Sequence, residues 1–517
     1  MIFAEALEDT LKSSKTLTEN GAVGYKTSKS SLVDFNFKAS SFRNQSEQEI
    51  ENAFADAYNE NPLMAVKLLF MTGDIRQGMG ERRTFTVCLK WLAKHHKEIA
   101  EKVLSLVPEY SRWDIVVEML GTEVDSTAFE IIGNQFAKDS DNSLNGQPIS
   151  LLAKWLPSVN TSSQNARHKA RSLCARLKMT EKQYRKRLSS LRAVLNVVET
   201  KMSSNKWDSI KYDAVPSKAN ILYKDAFLRH DETRRREYLD ALEKGEAKIN
   251  SSALFPYEIV AKYHGYKATT DATVEQLWKA LPDYTNGKGE NTLCVIDGSG
   301  SMDSNIGNTN FTAHDVAISL GVYFSEKMPG QFHDQYITFS ANPKLVHFDR
   351  CKTLYEKVYE ARRHYECENT NIYKTFKLIL NTAKNHNLKQ DEMPKSILII
   401  SDMEFDGAVD LNTSGSSSYW RDKVFGDEFD SKFKTLFERI ADEYQQAGYE
   451  LPKLVFWNVC SRTGAIPLQQ NKNGVILVSG FSPTIASMVF SQKNNPYDVL
   501  LEKLNSKRYE PVEKALA

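Results

Sequence analysis

The hydrophobic rhythm of the chain changes near residue 285. From about Ser46 to Tyr284 apolar residues recur three and four positions apart, the spacing that lines one face of an α-helix. "NPLMAVKLLFMTGD" puts Leu63, Val66, Leu69 and Phe70 on one stripe and breaks at Gly73. Further helices are predicted at "GMGERRTFTVCLKWLAKHH", "RWDIVVEML", "ISLLAKWL", "NARHKARSLCARLKM" and "TEKQYRKRLSSLRAVLNVVETKM". The last opens with a capping box, Thr180 with Gln183, and continues as a stripe of Tyr184, Leu188, Leu191, Leu195 and Val198. Many helices joined by short turns suggest helix pairs stacked as a solenoid, although no strict repeat period is visible. Beyond "PDYTNGKGEN" the runs become short and rich in Val, Ile and Leu: "TLCVID", "QYITFS", "KLVHF", "SILIISD", "KLVFWNVC" and "GVILVSG". Several alternate with helical stretches such as "AHDVAISLGVYFSEKM", which predicts a mostly parallel sheet covered on both faces. The expected domains are an N-terminal arm over 1–45, rich in Ser, Lys and Thr, a helical domain over 46–285 and an α/β domain over 291–517.

A length of 517 residues allows two to four domains, and 41% hydrophobic against 26% charged residues is the composition of a folded soluble protein. The net charge of +1 names no partner. Residues 1–290 carry 42 Lys and Arg against 38 acids and the remainder 25 against 28, so the first part is slightly basic. Six scattered cysteines without a CxxC pair fit a reducing compartment. "MIFAEALEDTLKSSK" is interrupted by Glu5, Glu8 and Asp9, unlike a signal peptide, and no apolar run reaches membrane-spanning length. A cytoplasmic protein with no membrane partner is expected.

The chemistry concentrates in "CVIDGSGSM". Asp297 ends the first strand of the second domain, and ligands of open α/β sheets bind beyond the carboxyl ends of the strands. Asp297, Ser299 and Ser301 offer three hard oxygens of the kind Mg²⁺ prefers, on a loop that Gly298 and Gly300 allow to turn tightly. An EF-hand loop would need glycine and glutamate where Met302 and Asn308 stand. A nucleophile elbow and a dinucleotide fingerprint fail on their glycine spacing. A Gly/Ser loop without a ligand is the competing reading. A second strand, "ILIISDMEFD", brings Ser401 and Asp402 to the same edge, and "ENTNIYKTF" offers Thr370 in a loop opening a helix.

The D-x-S-x-S motif, the later loop threonine and the later strand-end aspartate resemble the metal-ion-dependent adhesion site of von Willebrand factor A domains. The resemblance implies that Ser299, Ser301 and Thr370 ligate Mg²⁺ or Mn²⁺ directly or through water, while Asp297 and Asp402 hold coordinated waters. It implies an open position filled by an oxygen, such as a carboxylate, from a protein partner. "FMTGDIRQGMGERR", "YSRWD" and "LLAKWLP" resemble the TROVE module of the Ro autoantigen, and more closely a TROVE-like family of unknown function in phages, bacteria, plants and large viruses. That likeness runs from about residue 50 to the end. It implies a ring or arc of HEAT-like helical repeats closed by the A domain, with structured small RNAs on a basic outer surface and single-stranded RNA ends in the central hole.

Local charge bears on RNA binding. From Arg167 to Arg192 the chain holds ten cations, Arg167, Lys169, Arg171, Arg176, Lys178, Lys182, Arg185, Lys186, Arg187 and Arg192, against Glu181 alone. They flank an apolar stripe of Ala166, Ala170, Leu173 and Leu177 and are therefore expected to be exposed, facing phosphates or simply solvent. In "GMGERRTF", Arg82 and Arg83 fall in a first helical turn, where the macrodipole disfavours cations; a salt bridge to Asp74 or Asp114, or a bound phosphate, would compensate. Arg76 lies in the same segment, Lys154 is a candidate for the ring interior, and Trp113 and Trp155 are expected as core anchors. The histidines form no H-E-x-x-H and no recognisable triad order, so no enzyme is expected. The expected function is a monomeric ribonucleoprotein component with a metal-dependent ligand site. The alternative is an adaptor whose A domain recruits an AAA+ ATPase or a virion protein.

Overall fold

The computed structural model describes residues 14–517 except 196, 265–267, 308, 341, 365–370 and 406–435. The chain divides into two compact units, one of residues 1–65, 255–270 and 282–505, the other of residues 66–254, 271–281 and 506–517. Among the described residues no helix is long and apolar enough to cross a membrane, and no disulfide is formed.

The first unit is built on a six-stranded sheet. Its strands are β3 (Thr292–Asp297), β4 (Gln335–Phe339), β5 (Leu345–His347), β6 (Ser396–Ser401), β7 (Lys453–Asn458) and β8 (Val475–Ser479), and they fall on the six runs expected from the pattern. They lie in the order β5-β4-β3-β6-β7-β8, all parallel except β5, which runs antiparallel to β4. Every residue of β3 and β8 is buried, as continuous apolar runs require when both faces are covered. Helix Ala313–Lys327 packs closely on β3: a Cβ at Gly321 would come within 2.0 Å of Ile296 Cδ1. Asp297 and Ser401 thus end adjacent parallel strands.

The N-terminal residues belong to this unit. β1 (Lys15–Leu17) and β2 (Val23–Tyr25) form an antiparallel hairpin, and the Tyr25 and Ile466 backbones exchange two hydrogen bonds of 2.8 Å. Helix Ser31–Lys38 buries Leu32, Val33, Phe35 and Phe37, while Asn36 donates to the Leu477 carbonyl and accepts from Ser479 Oγ through its own carbonyl. Helix Glu47–Glu60 follows, with Phe54 edge-on to Phe35 at 5.7 Å. The division therefore departs from an arm over 1–45 and a helical domain beginning at 46. A segment polar enough to read as an arm buries its few large apolar residues and uses Asn36, Ser40 and Ser41 to satisfy strand-end groups.

The second unit holds helices and, among its described residues, no strand. Phe70 packs against Phe85 and Tyr110, with centroids 5.6 and 5.1 Å away, and Gly73 ends its helix where a Cβ would meet the Phe85 ring at 2.5 Å. The capping box at Thr180 forms as expected, and Tyr184, Leu188 and Leu191 are buried beneath helix Glu181–Val194. The stretch expected as one helix to Met202 is two, since Val198–Ser203 forms separately after an extended Val197. Residues 506–517, expected in the α/β domain, pack here because Arg508 forks onto buried Asp74 at 2.8 and 3.0 Å and Glu513 reaches buried Lys67 at 2.6 Å.

Candidate functional site

At the carboxyl edge of the sheet, Asp297 is fully buried. Its Oδ1 accepts from the Ser299 N–H at 2.9 Å, and its Oδ2 accepts from Ser401 Oγ at 2.5 Å, tying the ends of β3 and β6 together. Ser299 Oγ lies 2.9 Å from Ser301 Oγ, so the two hydroxyls share one spot. Asp402, 2% exposed, accepts from the Glu404 N–H at 3.2 Å across a turn in which Met403 is left-handed at φ 64°. Its Oδ2 lies 3.4 Å from Arg462 Nη2.

Burial pushes both carboxyls above the ordinary carboxylate range, and the charge of Asp297 raises Asp402 further. Two buried acids in mutual repulsion, beside paired hydroxyls, are short of positive charge. A hard divalent cation would supply it, and a donor set of carboxylate and hydroxyl oxygens fits Mg²⁺ or Mn²⁺. Among the described residues no group of three or more His, Cys, Asp or Glu gathers as a metal site, so such an ion would depend on the serine oxygens. Asp297, Ser299, Ser301 and Asp402 come together; Thr370 lies outside the described residues.

On the helical unit the basic residues separate into two kinds. Arg82 Nη2 pairs with Asp114 at 2.7 Å and Glu118 at 2.9 Å, which is the compensating salt bridge weighed from the sequence, and Arg83 is exposed on the same turn. Arg76 Nη1 donates to the Glu109 carbonyl. Arg176 pairs with Asp125 at 2.8 Å and covers Phe129, Arg171 pairs with Glu181 at 3.0 Å, and half-buried Lys169 points at the Val117 carbonyl. Arg192 donates to the carbonyls of Ala153 and Leu156 and to Ser158 Oγ, each at 2.8 Å, and so caps a helix end. Arg167 is half-buried. Lys178, Lys182, Arg185, Lys186 and Arg187 are exposed, and no ion pair engages them among the described residues. Lys154 is exposed beside Trp155, whose ring lies under the Arg112 guanidinium at 4.0 Å; Trp113 and Trp155 are half-buried rather than central in the core.

Two families of unknown function between them cover most of the chain. Residues 18–109 and 130–290 match a domain of unknown function, DUF2828, and residues 291–514 match another, DUF7788. The uncharacterized protein L728 of Acanthamoeba polyphaga mimivirus is 29% identical over 536 residues, spanning 96% of this chain and 88% of that protein. The crystal structure of the Deinococcus radiodurans Ro (RSR) protein aligns over 85% of this chain and 92% of its own at 13% identity, with a TM-score of 0.45.

Sequence reasoning missed three members of the sheet edge. Glu404, fully buried, accepts from Ser461 Oγ, from the backbone N–H groups of Arg462 and Thr463, and from the Glu19 N–H at 2.8 Å. Arg462 and Glu19 complete the set, with the Arg462 guanidinium joined to the Glu19 carboxylate. A signal existed for two of them: Arg462 follows β7 and Glu404 follows β6 at the carboxyl edge, where loops of a parallel sheet converge. Glu19 carried none, because its segment read as an arm.

Proposed function

We propose that the protein is a non-enzymatic RNA-binding protein of TROVE-like architecture, with HEAT-like helical repeats and a von Willebrand factor A-type unit. That unit binds Mg²⁺ or Mn²⁺ through Asp297, Ser299, Ser301, Thr370 and Asp402 and offers the ion to an oxygen ligand. The observation that carries RNA binding is the exposed set Lys178, Lys182, Arg185, Lys186 and Arg187. On helix Glu181–Val194, Lys182, Arg185 and Lys186 stand one turn apart, opposite the buried Tyr184, Leu188 and Leu191. Cations left without acids on a face that packing does not need are suited to phosphate contacts. Arg82, Arg171 and Arg176 support the reading less, because acids already engage them.

The test begins with the full chain purified from cells, which is expected to carry nucleic acid and a raised 260/280 nm absorbance ratio. Arg185→Glu, Lys186→Glu and Arg187→Glu together are expected to weaken binding of a structured small RNA and to flatten the log–log salt dependence by roughly 2–3 units, about one for each phosphate no longer neutralised. Folding is expected to survive, since the buried stripe is untouched. Unchanged binding at every salt concentration would return this face to solvent and favour the adaptor reading.

A further inference from the structure

Arg462 holds the position of a counter-ion. Its backbone is fixed, because its N–H and that of Thr463 donate to buried Glu404 at 2.8 and 2.9 Å. From that anchor the guanidinium spans three groups: Nη2 faces Asp402 Oδ2 at 3.4 Å, Nη1 donates to Ser304 Oγ at 3.0 Å, and Nε meets the Glu19 carboxylate. Glu19 is itself held, donating its N–H to Glu404 Oε2 at 2.8 Å. The arginine side chain is 34% exposed and the aspartate 2%, so the guanidinium closes over the carboxylate from the solvent side. Its positive charge acts on Asp297 as well as Asp402. An arginine fork can engage two carboxylates at once, which a lysine ammonium at the same backbone position cannot do with fixed geometry.

We propose that Arg462 is the resident counter-ion of the metal-free site, that it competes with the divalent ion for Asp402, and that ion binding releases it from Asp402 while its existing contact with Glu19 is kept. The proposal rests on the metal reading above. A divalent ion beside the Ser299 and Ser301 hydroxyls would satisfy the charge of Asp402 and repel the guanidinium. Glu19, half-exposed and already in contact, is placed to keep it. Asp402 then has a cation in either state, and affinity for the ion is set by the difference between the two.

The experiment uses the full chain with Mn²⁺ alone as probe, by calorimetric titration and by thermal melting with and without the ion. Arg462→Gln is expected to tighten Mn²⁺ about tenfold, the equivalent of one partly shielded ion pair. By linkage the same variant is expected to melt lower than the parent without Mn²⁺ and level with it at saturation. Arg462→Lys keeps the charge but loses the fork. It too is expected to tighten Mn²⁺, whereas a charge acting only at a distance would leave it at the parent affinity. Binding by Arg462→Gln where the parent shows none would support competition in its strongest form. If the parent binds and both variants bind no tighter, the role of Arg462 is overturned and the metal reading stands. If neither parent nor variants bind Mn²⁺, the metal reading itself falls.

Discussion

Each unit buries carboxylates, and they are treated in opposite ways. In the helical unit Asp74 accepts from Arg508 Nε at 2.8 Å and Nη2 at 3.0 Å, from the Arg76 N–H at 3.0 Å and from Tyr509 at 3.4 Å, so both of its oxygens are engaged by near neighbours. In the sheet unit Asp402 has, among the described residues, one backbone donor at 3.2 Å and a guanidinium at 3.4 Å, with Asp297 repelling it. Burying a charge is unfavourable unless it is paired and hydrogen-bonded. Asp74 meets that condition from within the chain. Asp297 and Asp402 are hydrogen-bonded too, but among the described residues two carboxyls share the Arg462 guanidinium, and a shortfall of positive charge of this kind at a sheet's carboxyl edge suits a ligand site.

The comparison is sharpened most by removing the cation from the satisfied side. Arg508→Ala leaves Asp74 buried without its fork and is expected to lower stability by about 3–5 kcal/mol, read as an earlier urea midpoint. Replacing Asp74 by Ala as well is expected to recover part of the loss, because the stranded charge goes with it. If the single variant unfolds at the parent midpoint, Asp74 and Arg508 do not form a closed structural pair.

The sheet edge is expected to respond more weakly. Asp297→Ala should abolish Mn²⁺ binding in a titration and lower the metal-free stability less than Arg508→Ala does, because the loss of a buried repulsive charge offsets the lost hydrogen bonds from Ser299 and Ser401. The pH dependence follows from the same excess. Asp297 and Asp402 are raised above their ordinary value of 3.8, so the folded state keeps protons that the unfolded chain releases. Their contribution to stability is therefore full below about pH 4 and is lost as pH rises to about 7, on the order of a few kcal/mol in all. Buried His314 is held neutral and pulls the other way over this range, so the decline should show in melting curves between pH 4 and 7 without metal as a difference between the parent and Asp297→Ala, and saturating Mg²⁺ should flatten the parent's share of it. A difference between parent and variant that stays constant across the range would contradict the excess of negative charge.

The strands and the Asp297 loop were legible because their signals are local. A buried parallel strand writes a run of β-branched residues, and a tight strand-end turn writes glycines between the aspartate and the serines that it brings side by side. The helical stripe at Tyr184, Leu188 and Leu191 was legible for the same reason. What could not be read depends on contacts distant in sequence. Glu19 reaches Arg462, and Glu513 reaches Lys67, across more than four hundred residues, and no periodicity records such a meeting. Charge counting was also blunt: Arg192 and Arg187 look alike in the sequence, yet one caps carbonyls and the other stands in solvent.

Arg82 carries the smallest expected effect and separates the two kinds of basic residue. Its side chain is 45% exposed and its guanidinium is shared between Asp114 and Glu118, so much of its interaction is screened by water and salt. Arg82→Ala is expected to lower stability by no more than about 1 kcal/mol in a urea titration, and by less at high salt. Its effect on RNA should be smaller still, because a cation already neutralised by two acids displaces few counterions from a phosphate backbone. The salt slope of RNA binding in Arg82→Ala should therefore match the parent, whereas Arg185→Ala alone should lower it by roughly one unit. A loss of slope at Arg82 equal to that at Arg185 would mean that RNA draws the arginine away from Asp114 and Glu118, and that the phosphate path extends to the start of helix Arg82–His95.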